Sequence, residues 1–324
     1  VNVGDELMAL GLGDKIVAYG IAPWHGSFTY WTEGASTYKK EAYSVGSSRY
    51  VQVWTAFLTD FANHLKEMGW MENVYIGIDE RGVNASAFDV AEKAGFKTAA
   101  DIDNITNHWA IAQRVTDLNV GDTAAQNYSA KFAELLAIRE AKGFTTTLYS
   151  CTEHQPGQFS LSAPVESYWA VVNAGMMGAK GFNRWAYDAW VANPLEDTTH
   201  NAFEPGDCFV IFPDEKDAKN PEAKYSVRLA RMAEGVRDVN KLKTIAEEVP
   251  SLADAVADVF AIIDYRLKTT NSAYMTDAAV ADLAAETAEF KDALNEVTES
   301  YVLLTGGNQV IIDDAKKVAY YSFD

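Results

Sequence analysis

The segment from Val74 to Glu80, V-Y-I-G-I-D-E, constrains the fold of this chain more than any other stretch. Its apolar residues alternate with period two, which predicts a β-strand whose aliphatic face is buried against helices. The opposite face lacks a side chain at Gly77 and ends in a carboxylate. Asp79 and Glu80 therefore lie together at the carboxyl end of the strand, where α/β sheets and barrels place their chemistry. An ordinary strand that runs into a solvated acidic turn explains the heptapeptide equally well.

Strand-like and helix-like segments alternate along most of the chain. About six strands are predicted, at residues 16–21, 74–80, 98–102, 145–150, 181–188 and 208–213. Helices are predicted at residues 49–68, 88–94, 124–142, 167–177 and 225–248, and a long Gly-, Ser- and Thr-rich loop at 26–48. This alternation indicates βα units and a parallel sheet. After residue 248 two Ala-rich helical stretches with acidic faces predict a helical appendage over residues 249–300, and residues 301–324 look β-like.

Composition and motifs exclude several classes of function. The net charge of −19 argues against nucleic acid and anionic membrane surfaces as partners. No apolar run is long enough to cross a bilayer, so no membrane insertion is expected. The five histidines have no ligand spacing, and no nucleotide-binding motif follows a strand, so neither a metal nor a cofactor is expected. Cys151 and Cys208 could be free, bonded or neither.

Aromatic side chains recur near the predicted strand ends, where the flat faces of sugars could stack on them. They form three groups, although packed or solvated loops would also explain each one: Trp24, His25, Tyr30 and Trp31; Tyr149 with Glu153 and His154; Trp185, Tyr187 and Trp190. Most glycoside hydrolases need two carboxylates on opposite sides of the glycosidic bond, and adjacent residues cannot straddle it. The pair Asp79 and Glu80 suits the exceptional mechanism in which the 2-acetamido group of the substrate is the nucleophile.

Several motifs in a specific order resemble glycoside hydrolase family 123 over roughly residues 5–245. They are F-L-T-D-F-A-N-H-L-K-E-M-G-W (57–70), Y-I-G-I-D-E (75–80), G-F-N-R-W-A-Y-D-A-W (181–190), N-P-L-E-D (193–197), P-G-D-C-F-V-I-F-P (205–213) and S-V-R-L-A-R-M-A-E-G-V-R-D (226–238). The resemblance implies a (β/α)8 TIM-type barrel and a retaining exo-β-N-acetylgalactosaminidase. It implies that Asp79 orients the acetamido group and that Glu80 is the general acid/base. Arg81 departs from the proline that the family usually has after this pair.

The resemblance extends to the domain plan and to the substrate site. It implies a partial barrel over residues 1–248 that lacks its first two strands, in a fragment of a larger, exported protein at the cell surface or outside the cell. A glycan is the expected partner, and the oligomeric state is left open. Candidate substrate-binding residues, expected to border one cleft with the acidic pair, are Trp24, His25, Tyr30, Tyr149, Trp185, Tyr187 and Trp190. The alternatives are a β-N-acetylglucosaminidase and a glycan-binding surface protein without hydrolytic activity.

Overall fold

The structure is a computed structural model that describes residues 9, 18–19, 26–150, 154–200, 203–214, 223–262, 268–269, 274–306 and 321–322. The chain divides into two compact units. The first unit comprises Val1–Val120 and Ala137–Thr145, and the second comprises Gly121–Leu136 and Thr146–Asp324. The chain thus leaves the first unit after Val120 and returns to it for nine residues.

Besides the end of a helix shared with the second unit, the described residues of the first unit form a parallel sheet, a β-hairpin and three helices. Its strands are β1 (Ala18–Tyr19), β2 (Ser27–Tyr30), β3 (Lys39–Ala42), β4 (Val74–Ile78), β5 (Lys97–Ile102) and nearly all of β6 (Asp117–Gly121). Its helices are α1 (Ser48–Met68), α2 (Ala85–Lys93) and α3 (Trp109–Ala112), with 3-10 turns at Met71–Asn73 and Glu80–Gly82. Strands β1, β4, β5 and β6 are neighbours in that order and run parallel, whereas β2 and β3 pair antiparallel.

Helix α1 covers one face of the first unit's sheet. The Ser47 side chain caps its N-terminus by accepting a hydrogen bond from the backbone N–H of Tyr50 at 3.2 Å, and Gly69 ends it in the left-handed conformation. A stripe of buried side chains at helical spacing packs against the sheet: Tyr50, Trp54, Leu58, Ala62 and Leu65. Val74 and Ile76 of β4 belong to the same core. The aliphatic face of β4 is therefore buried under a helix, as its alternation predicts.

The second unit combines two parallel strands with long helices. Its strands are most of β7 (Thr145–Ser150), β8 (His154–Gln155), β9 (Gly181–Arg184), β10 (Ile211–Phe212), β11 (Lys224–Tyr225), β12 (Lys268–Thr269) and β13 (Tyr321–Ser322). Its helices are α4 (Asp122–Asn127), α6 (Pro164–Met176), α7 (Val227–Glu248), α8 (Ala253–Ala261) and α9 (Asp277–Thr305), while α5 (Ser129–Glu140) is divided between the units. Strand β9 lies between β7, parallel to it, and β13, antiparallel to it.

Helices α6 and α7 pack closely because glycines allow it. A Cβ atom on Gly175 would lie 2.5 Å from Cγ1 of Val239, and one on Gly235 would lie 2.9 Å from the backbone oxygen of Tyr168. Helix α9 contacts the same pair of helices, and Trp169 Nε1 of α6 donates a hydrogen bond to Thr287 Oγ1 at 2.6 Å. The helices predicted as an appendage are therefore part of the second unit's core.

The described elements confirm the α/β class and correct several details. Strand β6 was missed, and the predicted strand at 208–213 is reduced to Ile211 and Phe212, which pair antiparallel to β11, and to an isolated bridge between Phe209 and Asp188. The predicted loop at 26–48 contains the hairpin β2–β3, and residues 301–305 are helical rather than β-like. The closed barrel of eight strands and the domain boundaries stay predictions.

Candidate functional site

Asp79 lies at the carboxyl end of β4, at the start of a single 3-10 turn. Strand β4 ends at Ile78, and the backbone of Asp79 is extended (φ −63°, ψ 151°). The side chain of Asp79 caps the turn by accepting a hydrogen bond from the backbone N–H of Arg81 at 2.9 Å. The backbone N–H of Gly82 donates a hydrogen bond to the backbone oxygen of Asp79 at 2.8 Å and closes the turn. Glu80 is the first residue of that turn and is exposed. The two carboxylates are therefore adjacent at a strand tip, in a turn that fixes Asp79.

Arg81 holds the carboxylate of Asp79 with two side-chain nitrogens. Its Nε donates to Oδ1 at 2.7 Å, and its NH2 group donates to Oδ2 at 2.5 Å. These hydrogen bonds hold the pKa of Asp79 below its usual value, against the opposing effect of partial burial. Because the Arg81 side chain is 83% exposed, the pair contributes little to stability. Its effect is to keep Asp79 ionised and oriented.

A third carboxyl group, Asp101 on β5, lies beside this pair. Ile78 is level with Ala100 in the parallel register, so Asp79, one residue further along, is level with Asp101. Asp101 is in turn paired with Asn119 of β6, whose Nδ2 donates to its Oδ1 at 3.0 Å. Side chains at the same level of a parallel sheet point to the same face. Asp79, Asp101 and Asn119 therefore form a polar row on the face opposite to α1.

Burial raises the pKa of Asp101 to about 6. The negative charges of Asp79, Glu80 and Asp117 act in the same direction, and the hydrogen bond from Asn119 opposes them. A carboxyl group whose pKa is perturbed by burial and by neighbouring carboxylates is typical of functional sites. Asp101 and Asn119 are not among the site residues predicted from the sequence, and the signal that could have found them is their place on the inner face of consecutive strands.

The structure places Tyr30 in the hairpin β2–β3, where it pairs with Lys39. Trp31 and Tyr38 follow at the tip, with ring centroids 5.2 Å apart. Trp24 and His25 lie outside the described residues, as do Cys151 and Glu153, and only the backbone of His154 is described. Cys208 is a buried free thiol.

The remaining candidate aromatics belong to the second unit. Tyr149 is buried in β7, and Tyr187 is partly buried, which raises its pKa. Trp185 is 43% exposed, and its Nε1 donates to Oδ2 of Asp207 at 2.9 Å while its ring lies 4.8 Å from that of Phe203. Nε1 of Trp190, also half exposed, donates to a backbone oxygen.

Asp207 is the fully buried residue that fixes Trp185. Its Oδ1 accepts a hydrogen bond from Arg184 at 2.5 Å, and Arg184 is itself almost completely buried. Arg184 also donates to Oε1 of Gln158 at 3.1 Å. Asp207 thus binds the buried guanidinium through Oδ1 and the indole of Trp185 through Oδ2. Trp185 is therefore a partly exposed ring in a fixed orientation, supported by a residue absent from the predicted site.

The geometry brings together Asp79, Glu80 and Asp101 in the first unit, and Trp185 with Asp207 in the second. The common cleft predicted for both groups stays a prediction. Among the described residues, no cluster of three metal-binding side chains exists. No helix within that part of the chain is long and apolar enough to cross a membrane.

Comparison with known proteins gives the class. The catalytic-domain model of glycoside hydrolase family 123 matches residues 5–245. The structure is similar to that of a family 123 glycoside hydrolase from Clostridium perfringens, described in a study of glycolipid glycan hydrolysis, with a TM-score of 0.82 and 27% sequence identity. The similarity covers 93% of this chain and 55% of that one, so the chain spans about half the length of its structural neighbour. No curated protein sequence matches it.

The family match covers most of the chain and identifies it as a glycoside hydrolase catalytic domain. The structure adds an α/β scaffold with carboxylates at the end of a strand. The chain belongs to glycoside hydrolase family 123. This confirms the resemblance found in the sequence.

Proposed function

We propose that this chain carries the catalytic site of a retaining exo-glycoside hydrolase that releases terminal β-linked N-acetylgalactosamine. The observation that carries the proposal is the adjacent pair Asp79 and Glu80 at the end of β4, with one carboxylate held ionised and the other exposed. Adjacent carboxylates cannot act from opposite sides of a sugar, so the nucleophile has to come from the substrate. A 2-acetamido group supplies it.

In the first step, Glu80 donates a proton to the glycosidic oxygen as the C1–O bond breaks. The acetamido carbonyl oxygen attacks C1 from the opposite face and forms an oxazolinium ring. Asp79 accepts a hydrogen bond from the acetamido N–H and stabilises the positive charge that develops on it. In the second step, Glu80 accepts a proton from water, which attacks C1 and reopens the ring. Two inversions at C1 retain the β configuration.

Arg81 is compatible with this role of Asp79. An ionised carboxylate has about four lone-pair sites, so it can accept a further hydrogen bond while Arg81 remains in place. The guanidinium keeps Asp79 charged, which the stabilisation of an oxazolinium ion requires.

The roles are tested with Glu80→Gln and Asp79→Asn in the full-length protein. Glu80→Gln removes the proton donor and should lower kcat on a natural glycan by about 10²–10⁴-fold, while a dinitrophenyl glycoside, whose leaving group needs no proton, keeps its glycosylation rate. Asp79→Asn should lower the rates on both substrates by about 10²–10³-fold. Wild-type rates in either variant on the natural glycan would refute the assignment.

Two controls match these variants. Glu72 lies just before β4 as Glu80 lies just after it, and it pairs with Lys97 at the surface. Asp89 pairs with Arg114 on the outer side of α2. Glu72→Gln and Asp89→Asn should keep wild-type kinetics. A thiazoline analogue of the oxazoline should inhibit competitively, and its failure to inhibit would indicate a two-carboxylate mechanism.

A glycan-binding protein without hydrolytic activity is the second candidate, because Arg81 occupies both oxygens of Asp79 in this structure. It predicts sugar binding by calorimetry with no turnover, and hydrolysis that disappears in Glu80→Gln would exclude it. Hydrolysis of the galacto- and gluco-configured nitrophenyl glycosides, measured side by side, distinguishes the proposed activity from a β-N-acetylglucosaminidase.

A further inference from the structure

The hairpin β2–β3 presents two aromatic rings to solvent, although its sequence contributes little to the core. Trp31 is 51% exposed and Tyr38 is 71% exposed. Their ring centroids lie 5.2 Å apart with an angle of 69° between the planes, so the rings form an open corner. Large aromatic side chains grouped at a surface mark binding sites more often than chance positions do.

The hairpin is anchored firmly at its base. Phe28 packs edge-on against Trp54 of α1 with ring centroids 5.5 Å apart. Glu41 accepts hydrogen bonds from two nitrogens of Arg49, at 2.7 and 2.8 Å. A Cβ atom on Gly26 would lie 2.7 Å from the backbone oxygen of Tyr43, so only glycine allows the two ends of the hairpin to close this tightly. The tip is therefore held in place without help from its own aromatic rings.

The position of the hairpin relates it to the acidic pair. Strand β1 runs parallel to β4, so the chain leaves β1 toward the edge of the sheet at which Asp79 lies. After the hairpin, Gly46 contacts Ser86: a Cβ atom on Gly46 would lie 2.7 Å from Ser86 Oγ. Ser86 is in the first turn of α2, four residues after Gly82. The base of the hairpin thus adjoins the segment that follows the acidic pair.

The charged groups that act on Asp79 and Asp101 are Arg81, Glu80, Asp117 and Asp79 itself, and none is in the hairpin. An exo-acting enzyme binds one terminal sugar at its carboxylates, so the remainder of a glycan has to be bound, if at all, by a separate surface.

We propose that the Trp31–Tyr38 corner binds the sugar residues on the leaving-group side of the scissile bond, an inference that rests on the proposed function. The apolar C–H face of a pyranose would stack on the indole of Trp31, and Tyr38 would contact the ring edge. The corner adds affinity for long glycans and none for a substrate that lacks a leaving-group sugar.

The test compares two substrates in Trp31→Ala, Tyr38→Ala and the double variant. One is a tetrasaccharide with a terminal β-linked N-acetylgalactosamine, and the other is the β-glycosyl fluoride of the same sugar, which has no leaving-group sugar. Each substitution should lower kcat/KM on the tetrasaccharide by about 3- to 10-fold, mainly through KM, and leave the fluoride unaffected. Tyr38→Phe keeps the ring and should behave as the wild type. Leu303→Ala, which removes an exposed apolar side chain of α9, is the control for surface effects.

Two results would overturn the inference: unchanged kinetics on the tetrasaccharide, or an equal loss on both substrates. If the wild type hydrolyses neither substrate, the proposed function is refuted, and the role of the corner has to be tested by binding instead. Calorimetric titration with the tetrasaccharide then decides the role of the corner. Weaker binding in the double variant supports the aromatic corner as a glycan site, and unchanged or absent binding refutes it.

Discussion

Asp101→Asn should stabilise the protein at neutral pH. Asp101 has a folded-state pKa of about 6 against the ordinary value of 3.8. A carboxyl group whose pKa is raised by folding is bound to its proton more tightly in the folded state, so its ionisation destabilises the fold. Asparagine is nearly isosteric, stays neutral, and retains an oxygen that can accept the hydrogen bond from Asn119.

The size of the effect follows from the pKa difference. A shift of about two units corresponds to about 3 kcal/mol at 1.36 kcal/mol per unit, and this is an upper limit because Asp101 is partly exposed. We expect a gain of roughly 1–3 kcal/mol in the free energy of unfolding at pH 7.5. The gain is complete above pH 6, declines as the pH falls from 6 toward 3.8, and disappears below that value because Asp101 is then protonated in both states.

Urea denaturation at pH 7.5 and pH 4 measures this difference directly, with unchanged m-values as the sign that the transition itself is unaltered. Asp89→Asn, which removes an exposed carboxylate from its pair with Arg114, should change stability by less than about 1 kcal/mol at either pH. A variant no more stable than the wild type at pH 7.5, or equally stabilised at both pH values, would refute the electrostatic argument.

We also expect a lower kcat/KM in Asp101→Asn, because residues that destabilise a fold tend to be retained for function.

Three further substitutions test other contacts. Arg81→Gln removes the hydrogen bonds that lower the pKa of Asp79, so the acid limb of the pH–rate profile should move to higher pH. Arg139→Met should lower the free energy of unfolding, by about 1–3 kcal/mol for each buried backbone oxygen that it leaves without a donor. Thr287→Val leaves the indole N–H of Trp169 unsatisfied and should cost about 1–3 kcal/mol in urea denaturation.

The two buried variants each have a control in the chain. Lys142→Met removes a similar donor to a backbone oxygen at the surface, and Thr298→Val removes a hydroxyl that contacts only the preceding turn of α9. Both should cost under about 1 kcal/mol. Losses as large as those of the buried variants would contradict the assigned contacts, as would an Arg81→Gln profile that coincides with the wild type.

Elements with strong local patterns could be predicted from the sequence. Helix α1 has a Ser cap, a buried stripe at helical spacing and a terminal glycine, and β4 alternates over its whole length. Because the sequence predicts β4 and its end, it also predicts that the acidic pair lies at the carboxyl end of a strand. Local chemistry therefore identified the catalytic candidates.

Features that depend on pairing between distant segments were missed or misread. Strand β6, D-L-N-V-G, has a polar residue on its inner face and no aliphatic run, so nothing local distinguishes it from a loop. The hairpin strands mix polar and aromatic residues and none of them is buried, whereas residues 208–210 are apolar and buried without belonging to a strand. Asp101 becomes a site residue only through the register of β5 with its neighbours.

Because the chain returns to the first unit at residues 137–145, this unit can complete its folding only after that segment has been synthesised. Arg139 lies in the returning segment Ala137–Thr145, and its guanidinium donates to the backbone oxygens of Ala112 and Val115 at 2.6 and 2.7 Å. A fragment that ends at residue 120 keeps β1 to β5 but leaves these oxygens without their buried donor. During synthesis, the unit that carries Asp79 and Glu80 therefore cannot complete its core until residue 145 has left the ribosome, and by then residues 121–136 of the second unit have left it as well.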